Sequence, residues 1–441
     1  MIRKMVVAGA ILLTLVGLAY VSPAWAAQQD KPSYTPAEYN AYTACANDKN
    51  AQTRAKCLED FMGKFPQSSL LPYAYQLAYT TYNEAKNFPK VIEYADKLLA
   101  LGDKVDIASR VQASYTRALI FEYAYSPRDP NSQELLNRTV QASREGHQIL
   151  AQWPKPETAS DEQFALTKRG VTLQFHVTAG FAALQLKDYA TAIQEFKSAL
   201  ALEPNQPVTW YRVGVAYLQQ NNGQQMDGLW AIARAVALKV PNDAQVRSFL
   251  RTQVQRYQGG TVCDKETDAE LKELLLLAGS SVERPAGYRI PSQAEVEQAR
   301  QSVGKMLEVL QAGGEQAKLM WLAICGLEFP EVGGKVIEVS SLDSSVVLKL
   351  FLGATPEETE AGETPNMEVN VVGQPRARLL KKDDAVLFAG LLADYTPDPF
   401  LLKWDNAKVK EDLLPEDKPE PAKKQPAKRP AKRPPAKGTG R

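Results

Sequence analysis

The sequence predicts a multidomain α + β protein: an N-terminal all-α superhelix of repeated helix hairpins, a helical linker, and a small C-terminal five-stranded β-barrel. Three observations predict it. Residues 173–204 place small side chains at Gly180, Ala192 and Ala199 and bulky ones at Tyr189 and Phe196, close with Pro204, and the pattern restarts at Pro207. At Gly333 the apolar period changes from about 3.6 to 2, the mark of a passage from helices to strands. Beyond residue 411 the composition is rich in proline, alanine and lysine, which cannot bury a core and predicts a disordered tail over 411–441.

At the N-terminus, Arg3 and Lys4 precede an apolar run over 5–20, followed by Pro23 and Ala24-Trp25-Ala26. The run is shorter than the roughly 20 residues a spanning helix needs, and a small-residue cleavage pattern sits directly behind it. Together these predict a secretory signal over 1–26. The mature chain is expected to be exported, periplasmic or extracellular, and soluble after cleavage.

About 415 residues then remain, enough for two or three domains at about 100–200 residues each. The formal charge of +1 hides an asymmetry. Residues 422–441 hold eight basic side chains and no acidic ones, leaving 44 basic against 51 acidic residues in the rest of the chain. The folded part is therefore not expected to bind polyanions by bulk charge. The tail could tether the protein to an anionic cell-envelope surface, each basic residue near such a membrane contributing about 1 kcal/mol.

The helical repeats are expected over 34–258. A hairpin needs small residues where its helices cross and bulky ones where it stacks on the next, and two short helices with their turns give a period of about 34 residues. The second copy carries Trp210, Gly214 and Tyr217 in its first helix and Gly228, Ile232 and Ala235 in its second. Upstream, Asn87-Phe88-Pro89-Lys90-Val91-Ile92 parallels Asp188-Tyr189-Ala190-Thr191-Ala192-Ile193, 101 residues later and close to three periods, so divergent repeats are expected between them. Residues 106–125 and 132–153 read as two long helices joined by a Ser-Pro-Arg-Asp-Pro turn, and 243–257 as the helix that caps the stack.

These small and bulky positions resemble the tetratricopeptide repeat (TPR) family, and the resemblance implies an interaction scaffold of about four repeats. In that family the groove-facing positions of each first helix are the second, fifth, ninth, twelfth and thirteenth. Counted from Leu173 they fall on Gln174, Val177, Phe181, Leu184 and Gln185; counted from Pro207, on Val208, Tyr211, Val215, Leu218 and Gln219. A repeat starting at Leu71 adds Tyr75, Tyr79 and Tyr82. The implied groove is aromatic, aliphatic and amide-bearing, and suits an extended peptide or amphipathic helix of a protein partner. The same side chains could instead be covered by another segment of the chain.

Four cysteines can pair once exported. Cys45 and Cys57 flank the polar stretch 47–50 with helical patterns on both sides, so a hairpin would bring them face to face, and closing that loop contributes about 3 kcal/mol. Cys263 and Cys325 form the second bridge by elimination, or Cys325, behind the apolar run 319–324, is a buried thiol.

Residues 259–332 lose the repeat pattern yet remain helical and are expected to form a linker subdomain, with an amphipathic stretch at 268–277, a helix opened by a capping box at Ser292 and Glu295 and ending before Gly313-Gly314, and a helix around Trp321. The β domain spans 333–410, with strands at 335–339, 346–352, 367–372, 385–392 and 400–409 and a solvated acidic loop at 357–363. Residues 379–386 and Phe388-Ala389-Gly390 resemble the OB-fold barrel. Nucleic acid is not the expected ligand, because Val347, Lys349, Phe351, Glu368 and Asn370 do not interleave stacking rings with basic groups. An alternative function has the barrel and tail binding an anionic polymer.

No catalytic residue, cofactor or metal site is expected. There is no phosphate loop, dinucleotide fingerprint, GxSxG, HExxH or CxxC, and only two histidines, His147 and His176, far apart in sequence. The reading is a non-enzymatic exported scaffold.

Overall fold

The computed structural model describes residues 34–260, 263–341 and 345–416; the expected signal and residues 417–441 of the expected disordered tail lie outside these residues. The start of that tail, by contrast, is ordered, with a 3-10 turn at Glu411–Leu413 and a buried Leu414. The chain forms two compact units, one holding the helices up to Gly260 together with Asp264–Ser292, the other holding Cys263 and the chain from Gln293.

The first unit is a series of antiparallel helix hairpins: α1 (Pro36–Asn47), α2 (Ala51–Lys64), α3 (Leu71–Glu84), α4 (Phe88–Leu99), α5 (Ile107–Ala124), α6 (Ser132–Gln152), α7 (Asp161–Gln185), α8 (Tyr189–Leu202), α9 (Pro207–Gln220), α10 (Gln225–Ala237), α11 (Asp243–Tyr257) and α12 (Asp264–Ser280). Each packs on the next, and α7 also packs on α5 and α9. The small residues act as the spacing implied. A Cβ on Gly180 would stand 2.7 Å from the Phe196 ring, and one on Gly214 would stand 2.6 Å from Ile232 and 2.9 Å from the Gly228 carbonyl.

The parallel between Asn87 and Asp188 is conformational as well. The residue before each, Lys86 or Lys187, takes a left-handed φ (56° and 63°). Each Asn or Asp side chain then accepts the backbone N–H three residues on, capping α4 and α8. One bridge, Cys45–Cys57, ties α1 to α2 with Cα atoms 5.3 Å apart.

Between the matched repeats stands the long hairpin that residues 106–125 and 132–153 indicate, α5 and α6, followed by the N-terminal extension of α7. Two expectations are corrected here. Helix α11 does not end the stack. Leu271, Leu274, Ala278 and Ile290 join the core of α10 and α11, Arg234 donates to the carbonyl of Ala278 at 2.7 Å, and Trp230 Nε1 donates to that of Val282 at 3.1 Å. The stretch 259–332 is consequently divided between the two units.

In the second unit α13 (Gln293–Gln301), α14 (Met306–Ala312) and α15 (Gly314–Ile324) share one core with the barrel. The helix expected to run to Gly313 is broken by a 3-10 turn at Val303–Lys305. Strands β1 (Glu328–Ser341), β2 (Ser345–Phe351), β3 (Met367–Val372), β4 (Ala385–Pro397) and β5 (Phe400–Val409) close in the order β1-β2-β3-β5-β4, with β3 and β5 parallel and the other pairs antiparallel. Trp404 lies in the barrel core, its ring edge-on to Phe388 and Phe329. Val346, Leu348 and Leu350 point inward with Met367, Val369 and Val371, as their alternation requires. The acidic insert is not a loop throughout, since α16 (Pro356–Ala361) forms there under a Thr355 cap. Cys263 and Cys325 are bridged, with Cα atoms 5.8 Å apart, so Cys325 is not a free thiol.

Candidate functional site

Across α1–α8 every exposed large apolar side chain lies on the first helix of a hairpin: Tyr39 on α1, Tyr73 on α3, Leu119 and Tyr123 on α5, Leu166 on α7. The second helices, α2, α4, α6 and α8, contribute none. Leu119 and Tyr123 stand four residues apart, which places them on one face of α5; they are 44% and 57% exposed, and the Tyr123 ring meets that of Phe88 at 5.4 Å. Charge is sparse on α1 and α3, which carry only Glu38 and Glu84, whereas α5 carries Arg110, Arg117 and Glu122, and α7 carries Asp161, Glu162, Lys168 and Arg169.

The groove residues counted from the repeat pattern fare differently. Tyr79, Tyr82 and Phe181 are buried, at 4%, 9% and 6% exposure, and are core residues in this fold. Tyr82 stacks on Tyr94 at 5.5 Å, and both hydroxyls donate to the Glu59 carboxylate, at 2.7 and 3.0 Å. Burial raises the Glu59 pKa, but these bonds together with that from Lys90 hold it below its ordinary value. Phe181 is enclosed by Phe121, Tyr125 and the Arg212 guanidinium, the last 4.7 Å from its ring centre. Tyr75 and Tyr211 are half-buried, against Tyr94 and Phe249. Gln174 is half-buried and donates to Thr178 Oγ1 at 3.0 Å; Gln185 is half-buried, and Gln219 is exposed. Counting along one helix cannot register that α5, α7 and α9 close on one another, which covers Phe181.

Fold proximity also unites residues that sequence distance kept apart. His147 on α6 and His176 on α7 have ring centres 4.5 Å apart, and His176 Nδ1 lies 2.7 Å from Glu195 Oε2 on α8. Burial first, then the neighbouring His176, holds the His147 imidazole below its usual range, against the pull of Glu195. The available signal was the adjacent pair Gly146 and Phe175. A Cβ on that glycine would stand 2.7 Å from the Phe175 ring, so the two helices approach closely just there. Among the described residues no group of three or more His, Cys, Asp or Glu side chains is arranged to hold a metal ion.

On the barrel, Val347, Lys349, Phe351, Glu368 and Asn370 are half-buried. Lys349 is paired with Glu338 at 2.7 Å and lies opposite Glu368. No helix among the described residues is long and apolar enough to cross a membrane.

No protein-family model matches the chain, and no curated protein matches it. Among solved structures it is similar to a thermophilic TPR protein of Thermus thermophilus, at 15% identity over 49% of this chain and 98% of that one, with a TM-score of 0.28. The hairpin repeat described above rests on the chain's own geometry.

Proposed function

We propose that this protein is an exported, non-catalytic scaffold of the cell envelope that receives an extended, largely uncharged segment of a protein partner on the first-helix face of its helical unit. One observation carries the reading: the exposed apolar side chains of α1–α8 segregate onto first helices, with Leu119 and Tyr123 at their centre. Aromatic side chains with few rotatable bonds are effective anchors, because they bury much area at little entropic cost. Tyr123, rather than the enclosed Tyr79 or Phe181, takes that role. Export is supported by the signal-like residues 1–26 and by two bridges of a kind that persists in oxidising compartments.

The test places a photo-crosslinking residue at Leu119 or Tyr123 and, as control, at exposed Lys197 on α8, in the intact envelope. Adducts with one partner protein are expected from the two α5 positions and not from the control. Equal labelling from all three positions contradicts the reading.

A further inference from the structure

A cleft of about 340 Å³ opens among α4, α5, α6 and α7, a size at the lower end of small-molecule sites. Part of its lining is apolar, from Leu99, Ala118, Ile149 and Phe175. The rest is rich in donors. Arg117, 2% exposed, donates from Nε to Asp96 Oδ1 at 2.5 Å and from Nη1 to Thr139 Oγ1 at 3.4 Å. Arg138, half in solvent, donates to the other oxygen of the same carboxylate at 2.8 Å. A single carboxylate thus serves two guanidiniums, and the triad carries one uncompensated positive charge. These three bonds leave most of two five-donor forks without a protein acceptor. Ser114 lines the same cleft; it is 5% exposed and its hydroxyl has no hydrogen-bond partner. The remaining acid of the lining, Glu145, is exposed and accepts from Gln141 at 2.8 Å.

We propose that this cleft binds a small monocarboxylate with an apolar body, its carboxylate bridging the Arg138 guanidinium and the Ser114 hydroxyl and its body resting on Ile149 and Phe175. A planar carboxylate matches the guanidinium fork, and one negative charge balances the triad. A phosphate dianion overcompensates that charge, and a bare inorganic anion leaves the apolar lining unused; the exposed Glu145 faces either anion alike. The site is independent of the partner face on α5, whose Leu119 and Tyr123 do not line the cleft.

The test is ligand-observed saturation-transfer NMR on the mature full chain with three probes: N-acetyl-phenylalanine, its neutral amide, and inorganic phosphate. The acid is expected to bind saturably and the amide and phosphate not to. Arg138→Gln and Ser114→Ala, each retaining the helical signal of the parent, should weaken the acid about tenfold or more, the usual effect of removing a hydrogen bond to a charged group. Equal binding of acid and amide, preference for phosphate, failure of all three to bind, or unchanged affinity in both variants overturns the proposal.

Discussion

Arg212 on α9 and Glu122 on α5 form a two-armed ion pair, Nη1 to Oε1 at 2.7 Å and Nη2 to Oε2 at 2.6 Å, across 90 residues of sequence. Both side chains are largely withdrawn from water, at 10% and 14% exposure, and the guanidinium also covers the Phe181 ring. Such a pair fixes the approach of two non-adjacent hairpins. Its net worth against an apolar pair is small, but removing one partner strands the other. Glu122→Ala is therefore expected to cost about 3–5 kcal/mol. Urea unfolding followed by the helical signal measures it, and the double variant Arg212→Met with Glu122→Leu should recover most of the loss. A single-variant cost below about 1 kcal/mol is the value of an exposed pair and contradicts the buried one.

The helix crossing at Gly214 gives a second expectation. An added methyl meets backbone at two points, the Gly228 carbonyl and the Ile232 nitrogen at 3.0 Å, which cannot swing aside as a side-chain end could. Gly214→Ala should lower stability by about 1–3 kcal/mol despite its better helix propensity. Exposed Gly63, with nothing within 4 Å of an added Cβ, should gain from the same substitution. Thermal unfolding of the two variants should shift in opposite directions.

Acid should act first on His147. His147 is held below its usual pKa in the fold by burial and by His176, so the unfolded chain binds its proton at higher pH than the native one does. Stability is then lost as pH falls through about 6.5, the unfolded imidazole value, towards the lower folded one. Glu195 beside His176 opposes the effect without removing it. Unfolding midpoints between pH 7.5 and 5.5 should fall for the parent and fall less for His147→Asn. Identical slopes for the two proteins contradict the coupling.

Much of the architecture is legible in the sequence where a local rule decides. The hairpin spacing is forced by Gly180 against Phe196 and Gly214 against Ile232, and strands β2 and β3 follow from strict alternation, which β5 breaks at Asp405-Asn406. Strand β1 starts at Glu328, earlier than alternation indicates, because Pro330 and Gly333-Gly334 interrupt the period and its pairing with β4 shifts register between Phe329 and Val332. The acidic stretch 357–363 has no apolar face to reveal a helix, yet Pro356 and the Thr355 cap suffice for a short one. The site was less legible. Whether Tyr79 or Phe181 faces solvent depends on side chains from other hairpins, such as Phe121 and Arg212, which no count along a single helix includes. Leu119 and Tyr123 escaped notice because α5 belongs to the long hairpin that departs from the repeat spacing.

The most direct test of the scaffold reading is the dissociation constant of peptides selected against the full chain, measured for the parent, Leu119→Ala, Tyr123→Ala and the control Lys197→Ala. Each α5 variant, with its circular dichroism unchanged, should cost about 1–3 kcal/mol, a weakening of roughly 5- to 150-fold, while the control binds as the parent does. Parent-like affinity in both folded α5 variants contradicts the account.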